Sequence, residues 1–198
     1  MHVFIVYAHP DDNSFTHCVL EAFIRGIKES GHTYEISDLY KMNFRTDMSI
    51  AEYKRESSQD MALAVAEDVK YEHEKMDRAD IIVFIYPLWW SDCPAKLKGW
   101  FDRVYTYGYA YSDGHFESKI KIKKGLVVCS AGHTLEHLKE IGIEEGIRKI
   151  MLLDRLQNVG INDTELIILG GTANRDKSVY EHNLERAYKL GKELFLKD

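Results

Sequence analysis

The stretch IIVFIYPLWWSDCPAKLKGWFDRV, residues 81–104, decides the fold. Its first part, residues 81–85, is a continuous apolar run that predicts a fully buried strand, and residues 95–104 have the pattern of an amphipathic helix. Between them lies a loop that contains two adjacent tryptophans, Trp89 and Trp90. Because open α/β sheets bind their ligands at the carboxyl ends of strands, this loop is a candidate binding site.

The two tryptophans favour a planar aromatic ligand. Core packing is the more common role of an aromatic pair. A loop bounded by Pro87 and Pro94 nevertheless exposes alternate side chains, so we do not expect both rings to be buried together. Backbone amides between the prolines are available to the polar edges of a flat ring.

Strand and helix patterns alternate along the whole chain. Further strands are predicted at residues 3–8, 34–40, 125–129 and 165–170. Helices are predicted at residues 15–30, 61–76, 95–105, 135–154 and 179–195. We therefore predict one domain, residues 1–198, with a three-layer α/β/α flavodoxin-like sandwich and a five-stranded parallel sheet in the order 2-1-3-4-5.

Composition narrows the functional class. The net charge of -6 and the pI near 5.9 argue against a nucleic-acid partner. Cys18, Cys93 and Cys129 show neither a CxxC motif nor zinc-ligand spacing, so we expect no metal and no disulfide framework. No apolar run reaches the ~20 residues of a membrane helix, and the start lacks the basic region of a signal peptide. We therefore expect a cytoplasmic protein without an integral membrane segment.

Two stretches are longer than βαβ units require. Residues 41–59 are polar and predict a loop with a short helix, whereas residues 106–114 are rich in tyrosine and glycine. Aromatic clusters with polar rims often mark interfaces, which favours a homodimer that uses the cluster around this stretch. The alternative is that these side chains pack within one subunit. The cluster comprises Tyr105, Tyr107, Tyr109 and Tyr111.

The loop after the first strand has the residue types of an anion site. Asn13, Ser14 and Thr16 supply polar groups at a helix amino terminus, and His9 offers a further donor to a phosphate. Neither GxGxxG nor a P-loop motif is present. Ordinary helix capping by Asn13 or Ser14 is the alternative interpretation.

A third loop follows the fourth strand and contains Ser130, Ala131, Gly132 and His133. Small residues there allow a ligand to approach the backbone closely, although they are also common turn formers. The three strand-end loops together predict a crevice that holds a phosphate at one end and a flat ring at the other. A flavin nucleotide has both groups.

Several motifs resemble the NAD(P)H:quinone oxidoreductases of the flavodoxin-like superfamily, the DT-diaphorase type. That group includes bacterial drug-activity modulators and ancillary subunits of glutathione-gated potassium efflux systems. The similarity covers nearly the whole chain. It is carried by AHP (8–10), SFT (14–16), DLY (38–40), PLWW (87–90), PAKLKGWFDRV (94–104) and LGG (169–171).

The resemblance implies a set of cofactor-binding residues. His9, Ser14, Phe15 and Thr16 are implied to hold the flavin phosphates, with Asn13 in the same loop. Pro87, Leu88, Trp89 and Trp90 are implied to contact the ring, together with the adjacent Ser91. Ser130, Ala131 and Gly132 are implied at the other polar edge of the ring, beside His133. Where the family has Thr-Thr-Gly-Gly, this chain has Cys129-Ser130-Ala131-Gly132.

The resemblance also implies the reaction. NAD(P)H donates a hydride, an acceptor such as a quinone then takes its place, and the cycle is ping-pong with FAD, or alternatively FMN, as the cofactor. His137 falls near the place of a family tyrosine that assists charge relay, so it is the candidate catalytic residue; the family histidine has no clear counterpart. The family forms two-fold dimers in which the partner completes each site. A flavodoxin-type electron carrier and a regulatory accessory subunit of a potassium efflux system are the alternatives.

Overall fold

A central parallel sheet organises the protein, whose computed structural model describes residues 1–114 and 118–194. The sheet has five strands in the order 2-1-3-4-5, so the predicted topology is confirmed. The predicted strand bounds agree with the observed ones to within two residues. The strands are β1 (His2–Tyr7), β2 (Thr33–Asp38), β3 (Ile81–Pro87), β4 (Lys124–Ser130) and β5 (Asp163–Leu169).

Helices cover both faces of the sheet, as the three-layer prediction requires. They are α1 (Phe15–Glu29), α2 (Ile50–Ser58), α3 (Glu67–Arg78), α4 (Ala95–Val104), α5 (Leu135–Glu140), α6 (Ile143–Ile147) and α7 (Lys177–Glu193). A π-helix, Arg148–Asp154, follows α6. One apolar core contains residues of α1 and α7, and a second contains residues of α3, α4, α5 and the π-helix. Within residues 1–114 and 118–194, every helix is too short or too polar to span a lipid bilayer.

The predicted helix at residues 61–76 is wrong at its start, because α3 begins only at Glu67. The preceding residues form a turn instead: the Asp60 carboxylate accepts a hydrogen bond from the amide of Ala62 at 2.8 Å. The Arg55 guanidinium then donates to the carbonyl of Leu63 at 3.1 Å, which ties this segment to α2. A side chain that bonds to a nearby amide competes with helix formation.

The predicted helix at residues 135–154 is interrupted. Helix α5 ends at Glu140, and Gly142 adopts the left-handed conformation with φ 77°, which suits a residue without Cβ. The chain then continues as α6 and the π-helix. The last helix begins two residues before the predicted position, at Lys177, and the end predicted for it, Phe195, lies outside the described residues.

The predicted short helix in residues 41–59 is α2, and a capping box starts it. The Ser49 hydroxyl accepts from the amide of Glu52 at 3.2 Å, while the Glu52 carboxylate accepts from the amide of Ser49 at 2.7 Å. This helix then holds part of the tyrosine-rich stretch, since the Glu56 carboxylate accepts from the hydroxyl of Tyr111 at 3.0 Å.

The tyrosines of that stretch pack mainly within the subunit. Tyr107 and Tyr109 are buried, whereas Tyr111 is 41% exposed. The ring of Tyr109 stacks on His73 with centroids 3.7 Å apart, and its hydroxyl donates to the Asp77 carboxylate at 2.8 Å. Intrasubunit packing is therefore the correct interpretation for Tyr107 and Tyr109, and they do not themselves form an exposed interface.

Candidate functional site

Three loops meet at the carboxyl edge of the sheet, as the strand order predicts. The amide of Leu88, after β3, donates to the carbonyl of Ser130 at the end of β4, at 2.7 Å. The ring of His9, after β1, lies edge-on to that of Trp89 with centroids 5.8 Å apart. The first loop, the loop that bears the two tryptophans and the loop after β4 therefore form one continuous surface at the switch point between β1 and β3.

The two tryptophans lie in a tight two-residue turn. The amide of Trp89 donates to the carbonyl of Asp92 at 3.0 Å, and the amide of Asp92 donates back at 3.1 Å. Between them Trp90 and Ser91 both have positive φ, 49° and 67°, as in a type I′ turn. Trp90 is fully exposed and Trp89 is 42% exposed, so the expectation that the rings are not both buried is confirmed.

This turn, named the Trp turn (residues 89–92), is conformationally strained. A type I′ turn normally contains asparagine or glycine, because a side chain with Cβ is disfavoured at positive φ. Each such residue costs about 1–3 kcal/mol and persists only where its surroundings impose it. Strain of this kind is concentrated at functional sites, which supports a binding role for the exposed Trp90.

His9 uses Nδ1 within its own loop. Nδ1 lies 3.0 Å from the amide nitrogen of Asp11 and 3.1 Å from its carbonyl oxygen, so it accepts from the amide in one tautomer and donates to the carbonyl in the other. Partial burial lowers the pKa of His9 and outweighs the opposing effect of Asp11, which favours the neutral ring. In the tautomer that carries its proton on Nε2, the neutral imidazole is a suitable donor to a phosphate oxygen.

The start of α1 has both a cap and free amides. The Ser14 hydroxyl accepts from the amide of His17 at 3.1 Å, so the capping interpretation is correct for Ser14. Asn13 is not the cap; its amide donates to the Asp11 carboxylate at 2.8 Å. The amides of Phe15 and Thr16 belong to the first turn of α1, where the helix itself supplies no carbonyl to accept their hydrogen bonds. Amides of this kind suit an anion.

The side chains of Phe15 and Thr16 have other contacts. The Phe15 ring packs on Tyr180 of α7 with centroids 4.4 Å apart. Thr16 is buried, and its hydroxyl lies 2.8 Å from that of Ser130. Any contact of these two residues with a phosphate therefore uses their backbone amides.

Two polar groups beneath the first loop were not predicted from the sequence. The hydroxyl of Tyr7 and Nδ1 of His17 are buried, and among residues 1–114 and 118–194 neither has a hydrogen bond, although Nδ1 of His17 lies 3.8 Å from the Asp12 carboxylate. Their rings lie edge to face with centroids 6.0 Å apart. Buried polar atoms in proteins are nearly always bonded to protein, water or a ligand, so this corner fits a polar ligand group.

Lys41 partly neutralises the negative charge of the acidic side chains in and near the first loop. Nζ of Lys41 lies 3.0 Å from the Asp12 carboxylate and 3.8 Å from that of Asp38. The Asp11 carboxylate accepts the hydrogen bond from the amide of Asn13 that is described above. The loop therefore carries less free negative charge than its sequence indicates.

The loop after β4 presents its backbone and two histidines. The carbonyl of Ala131 accepts from the amide of Thr172 at 3.1 Å, which joins this loop to the segment after β5. His133 and His137 are exposed, with ring centroids 4.8 Å apart. Together with Gly132 they line a cleft of about 360 Å³ that extends to the start of α7.

The cysteines do not supply a reactive thiolate at this site. All three are free thiols, and Cys93 and Cys129 are buried. Burial raises the pKa of Cys93 to about 11 and that of Cys129 to about 12. Cys93 beside the Trp turn is therefore a neutral thiol at physiological pH, and we interpret it as structural.

Comparison with known proteins finds the flavodoxin-like fold family over residues 1–190. A solved NAD(P)H:quinone oxidoreductase from Methanothermobacter marburgensis is 54% identical with a TM-score of 0.95, over 100% of this chain and 98% of that one. An uncharacterized NAD(P)H oxidoreductase of Haemophilus influenzae is 30% identical over 173 residues, 86% of this chain and 84% of that protein. The ribosyldihydronicotinamide dehydrogenase-like protein traD of Penicillium crustosum is 31% identical over 173 residues, 76% of this chain but 65% of that protein, slightly less than two thirds of its length.

Proposed function

Because the chain belongs to the family of proteins with a flavodoxin-like fold, we propose that it is a flavin-dependent NAD(P)H:quinone oxidoreductase. The observation that carries this proposal is the convergence of the first loop, the Trp turn and the loop after β4 at one sheet edge. The similarity to a solved NAD(P)H:quinone oxidoreductase over the whole chain supports the same activity.

Each loop has a different part of the cofactor to hold. At the phosphate end, the donors are the amides at the start of α1 and, in the tautomer with its proton on Nε2, the ring of His9. At the ring, the exposed Trp90 side chain supplies apolar surface. The amides of Leu88, Trp89, Asp92 and Cys93 are hydrogen-bonded within the protein, so among the described residues the Trp turn offers the ring only the amides of Trp90 and Ser91. The proposed cofactor-binding residues are His9, Asn13, Ser14, Phe15, Thr16, Pro87, Leu88, Trp89, Trp90, Ser91, Ser130, Ala131, Gly132 and His133.

A bound flavin would supply the redox chemistry of hydride transfer from NAD(P)H to a quinone, whose reduction to the hydroquinone takes two electrons and two protons in total. The protein orients the ring and excludes water from one side of it. Trp89 and Trp90 provide the apolar surface for this purpose. His137 is the proposed catalytic residue, since an imidazole beside a bound flavin would stabilise negative charge on its ring.

The proposed nucleotide is FAD, with FMN as the alternative. The motif Ser14-Phe15-Thr16 is more similar to that of FAD-binding members, which favours FAD. Mass spectrometry of the nucleotide released from the protein on denaturation separates the two. A mass of FMN alone contradicts the preference for FAD and leaves the proposed activity unaffected.

A cytoplasmic homodimer is the proposed form of the protein. The exposed Tyr111 is bonded to α2, which also exposes Ile50 and Tyr53, so the region has an apolar surface suited to a second copy. The three free thiols are consistent with a reducing compartment. Light scattering at micromolar concentration is expected to give twice the chain mass of 23.0 kDa, and a flavin-bound monomer contradicts the proposal.

The activity is tested on purified protein reconstituted with flavin. We expect a flavin absorption band and rapid consumption of NADPH on addition of a quinone under air. Absence of a flavin band after reconstitution contradicts flavin binding. A flavin that is bound but is not reduced by NADH or NADPH contradicts the enzyme and favours the electron carrier.

A further inference from the structure

Arg155 lies beside the Trp turn although it is far from it in sequence. It follows the π-helix, and its amide donates to the carbonyl of Ile150, five residues earlier, at 3.1 Å. Its side chain is 9% exposed, and its guanidinium faces both carboxylate oxygens of Asp92, at 3.3 and 3.4 Å. A π-helix is uncommon in proteins and is often found at functional sites.

The other contacts of the Arg155 guanidinium are with neutral groups. Nη1 lies 2.9 Å from Sδ of Met151 and 3.3 Å from Sγ of Cys93. The Arg155 cation also lies 4.9 Å from the centre of the Phe101 ring. In the described part of the chain, Asp92 is the only acidic side chain within ion-pair distance of Arg155. A buried cation held in this way is a rigid anchor for one carboxylate.

Asp92 is the residue that closes the strained turn. Its backbone forms both hydrogen bonds with Trp89, and its carboxylate also accepts from the amide of Cys93 at 2.7 Å. Partial burial acts to raise the pKa of Asp92, but the Cys93 amide and the Arg155 cation outweigh it and lower the pKa. Asp92 is therefore ionised at neutral pH and can be held by the arginine.

We propose that Arg155 is a positioning residue that acts through Asp92 to hold Trp90 and Ser91 in their left-handed conformation. The turn contains neither glycine nor asparagine at these two positions, so local sequence preference does not explain its shape. The planar guanidinium matches both carboxylate oxygens, which fixes the orientation of Asp92 as well as its distance. The consequence for the flavin ring rests on the proposed function, whereas the effect on the turn does not.

The turn is tested first in flavin-free protein, by hydrogen exchange of the Trp89 and Asp92 amides. Arg155→Met keeps the side-chain bulk in a sulfur- and ring-lined site but removes the charge. We expect both amides to exchange about tenfold faster in this variant. The matched control is Arg148→Met, which removes an exposed arginine at the start of the π-helix, where it pairs with Glu144. It is expected to leave both amides unchanged.

A second substitution separates positioning from general stability. Ser91→Gly removes the cost of positive φ at one of the two strained residues, so in the Arg155→Met background it is expected to restore most of the amide protection. If Arg155→Met leaves the exchange unchanged, or if Ser91→Gly restores nothing, the proposal is wrong. If Arg155→Met does not fold, Arg155→Lys is used with the same expectations, since a lysine keeps the charge but lacks the two-point contact.

The effect on the ring is tested with lumiflavin, which has the flavin ring but no phosphate. The affinity of the protein for lumiflavin is expected to fall about tenfold in Arg155→Met and to recover in the double variant that also carries Ser91→Gly. If wild-type protein binds no flavin of any kind, the proposed function fails while the exchange experiment still decides the role of Arg155. If lumiflavin binds equally to wild type and Arg155→Met, positioning of the ring by Arg155 is excluded.

Discussion

The hydroxyl of Thr16 lies 2.8 Å from the hydroxyl of Ser130, and this contact joins the first turn of α1 to the end of β4. Both residues are buried at the point where the first loop and the loop after β4 meet. The pair therefore fixes the distance between the proposed phosphate end and the proposed ring edge of the site. Thr16, which the sequence suggests as a phosphate ligand, has a structural contact as well.

Thr16→Val is expected to destabilise the protein by about 1–3 kcal/mol, because it leaves the buried Ser130 hydroxyl without its partner. The free energy of unfolding in urea measures this loss. Thr16→Ser, which keeps the hydroxyl, is the control and is expected to lose less. Equal stability of wild type and Thr16→Val would show that the hydroxyl pair contributes nothing to the fold.

Trp90→Ala is expected to change binding without changing stability. Because Trp90 is fully exposed, the free energy of unfolding should stay within about 0.5 kcal/mol of wild type. Stacking on an aromatic side chain contributes about 1–3 kcal/mol in nucleic-acid systems, so flavin affinity should fall roughly tenfold or more. Fluorescence titration with flavin measures it, and Tyr71→Ala, which removes an exposed ring of α3, is the control.

Unchanged flavin affinity and unchanged NAD(P)H:quinone turnover in Trp90→Ala would place the ring elsewhere. Flavin binding would then no longer explain why the Trp90 side chain is exposed. Loss of stability in this variant would instead show that Trp90 packs against the protein in solution.

The strand order was predictable because each buried strand has a strong local signal. The runs at residues 81–85 and 125–129 are almost wholly apolar, as required of strands covered on both faces. Because connections between parallel strands are short and right-handed, few strand orders are then possible. The three loops of the candidate site follow from that order alone, since they are the loops at the carboxyl ends of β1, β3 and β4.

The helix bounds and the detail of the Trp turn were not predictable in the same way. An apolar pattern continues through Gly142, whereas α5 ends at Glu140 and Gly142 has the left-handed conformation. Similarly, nothing in Trp90-Ser91 is typical of a type I′ turn. The contact that accounts for it comes from Arg155, more than sixty residues later, and such long-range pairs leave no local pattern in one sequence.

The close packing of α1 on α7 is a further feature that a single sequence does not reveal. A Cβ at Gly26 would lie 2.2 Å from the carbonyl oxygen of Tyr188, and one at Gly191 would lie 2.1 Å from that of Phe23. Both glycines lie inside helices, where glycine is ordinarily unfavourable by about 1 kcal/mol. Their positions are explained only when the two helices are seen together.

Stability is expected to decrease as the pH falls below about 4.5, partly through Glu52. Partial burial acts to raise the pKa of Glu52, but bonds from Ser49, Arg45 and the buried Arg103 lower it to about 2. Because this value is below that of the unfolded chain, the stabilisation is complete above pH 4.5 and is lost as the pH falls toward 2.

Glu52→Gln is therefore expected to be less stable than wild type at pH 7, by up to about 3 kcal/mol, and the difference should narrow toward pH 2. Urea unfolding at pH 7, 4 and 3 measures the difference. Glu67→Gln is the control, since its exposed pair with Lys70 contributes little. A difference that is independent of pH would contradict the role given to the Glu52 charge.

His137→Gln tests the proposed catalytic residue against a histidine outside the site. His182 is an exposed histidine of α7 that is not among the proposed cofactor-binding residues, so His182→Gln is the matched control. A positive or hydrogen-bonding imidazole near the ring stabilises the negative charge that develops when the flavin is reduced.

We expect His137→Gln to slow flavin reduction by NADPH about tenfold, as seen by bleaching of the flavin band in a stopped-flow instrument. Flavin affinity and the free energy of unfolding of His137→Gln should be unchanged, and His182→Gln should retain the wild-type rate. Wild-type rates in both variants would show that His137 is an ordinary surface histidine and that the charge on the reduced ring is balanced by other groups.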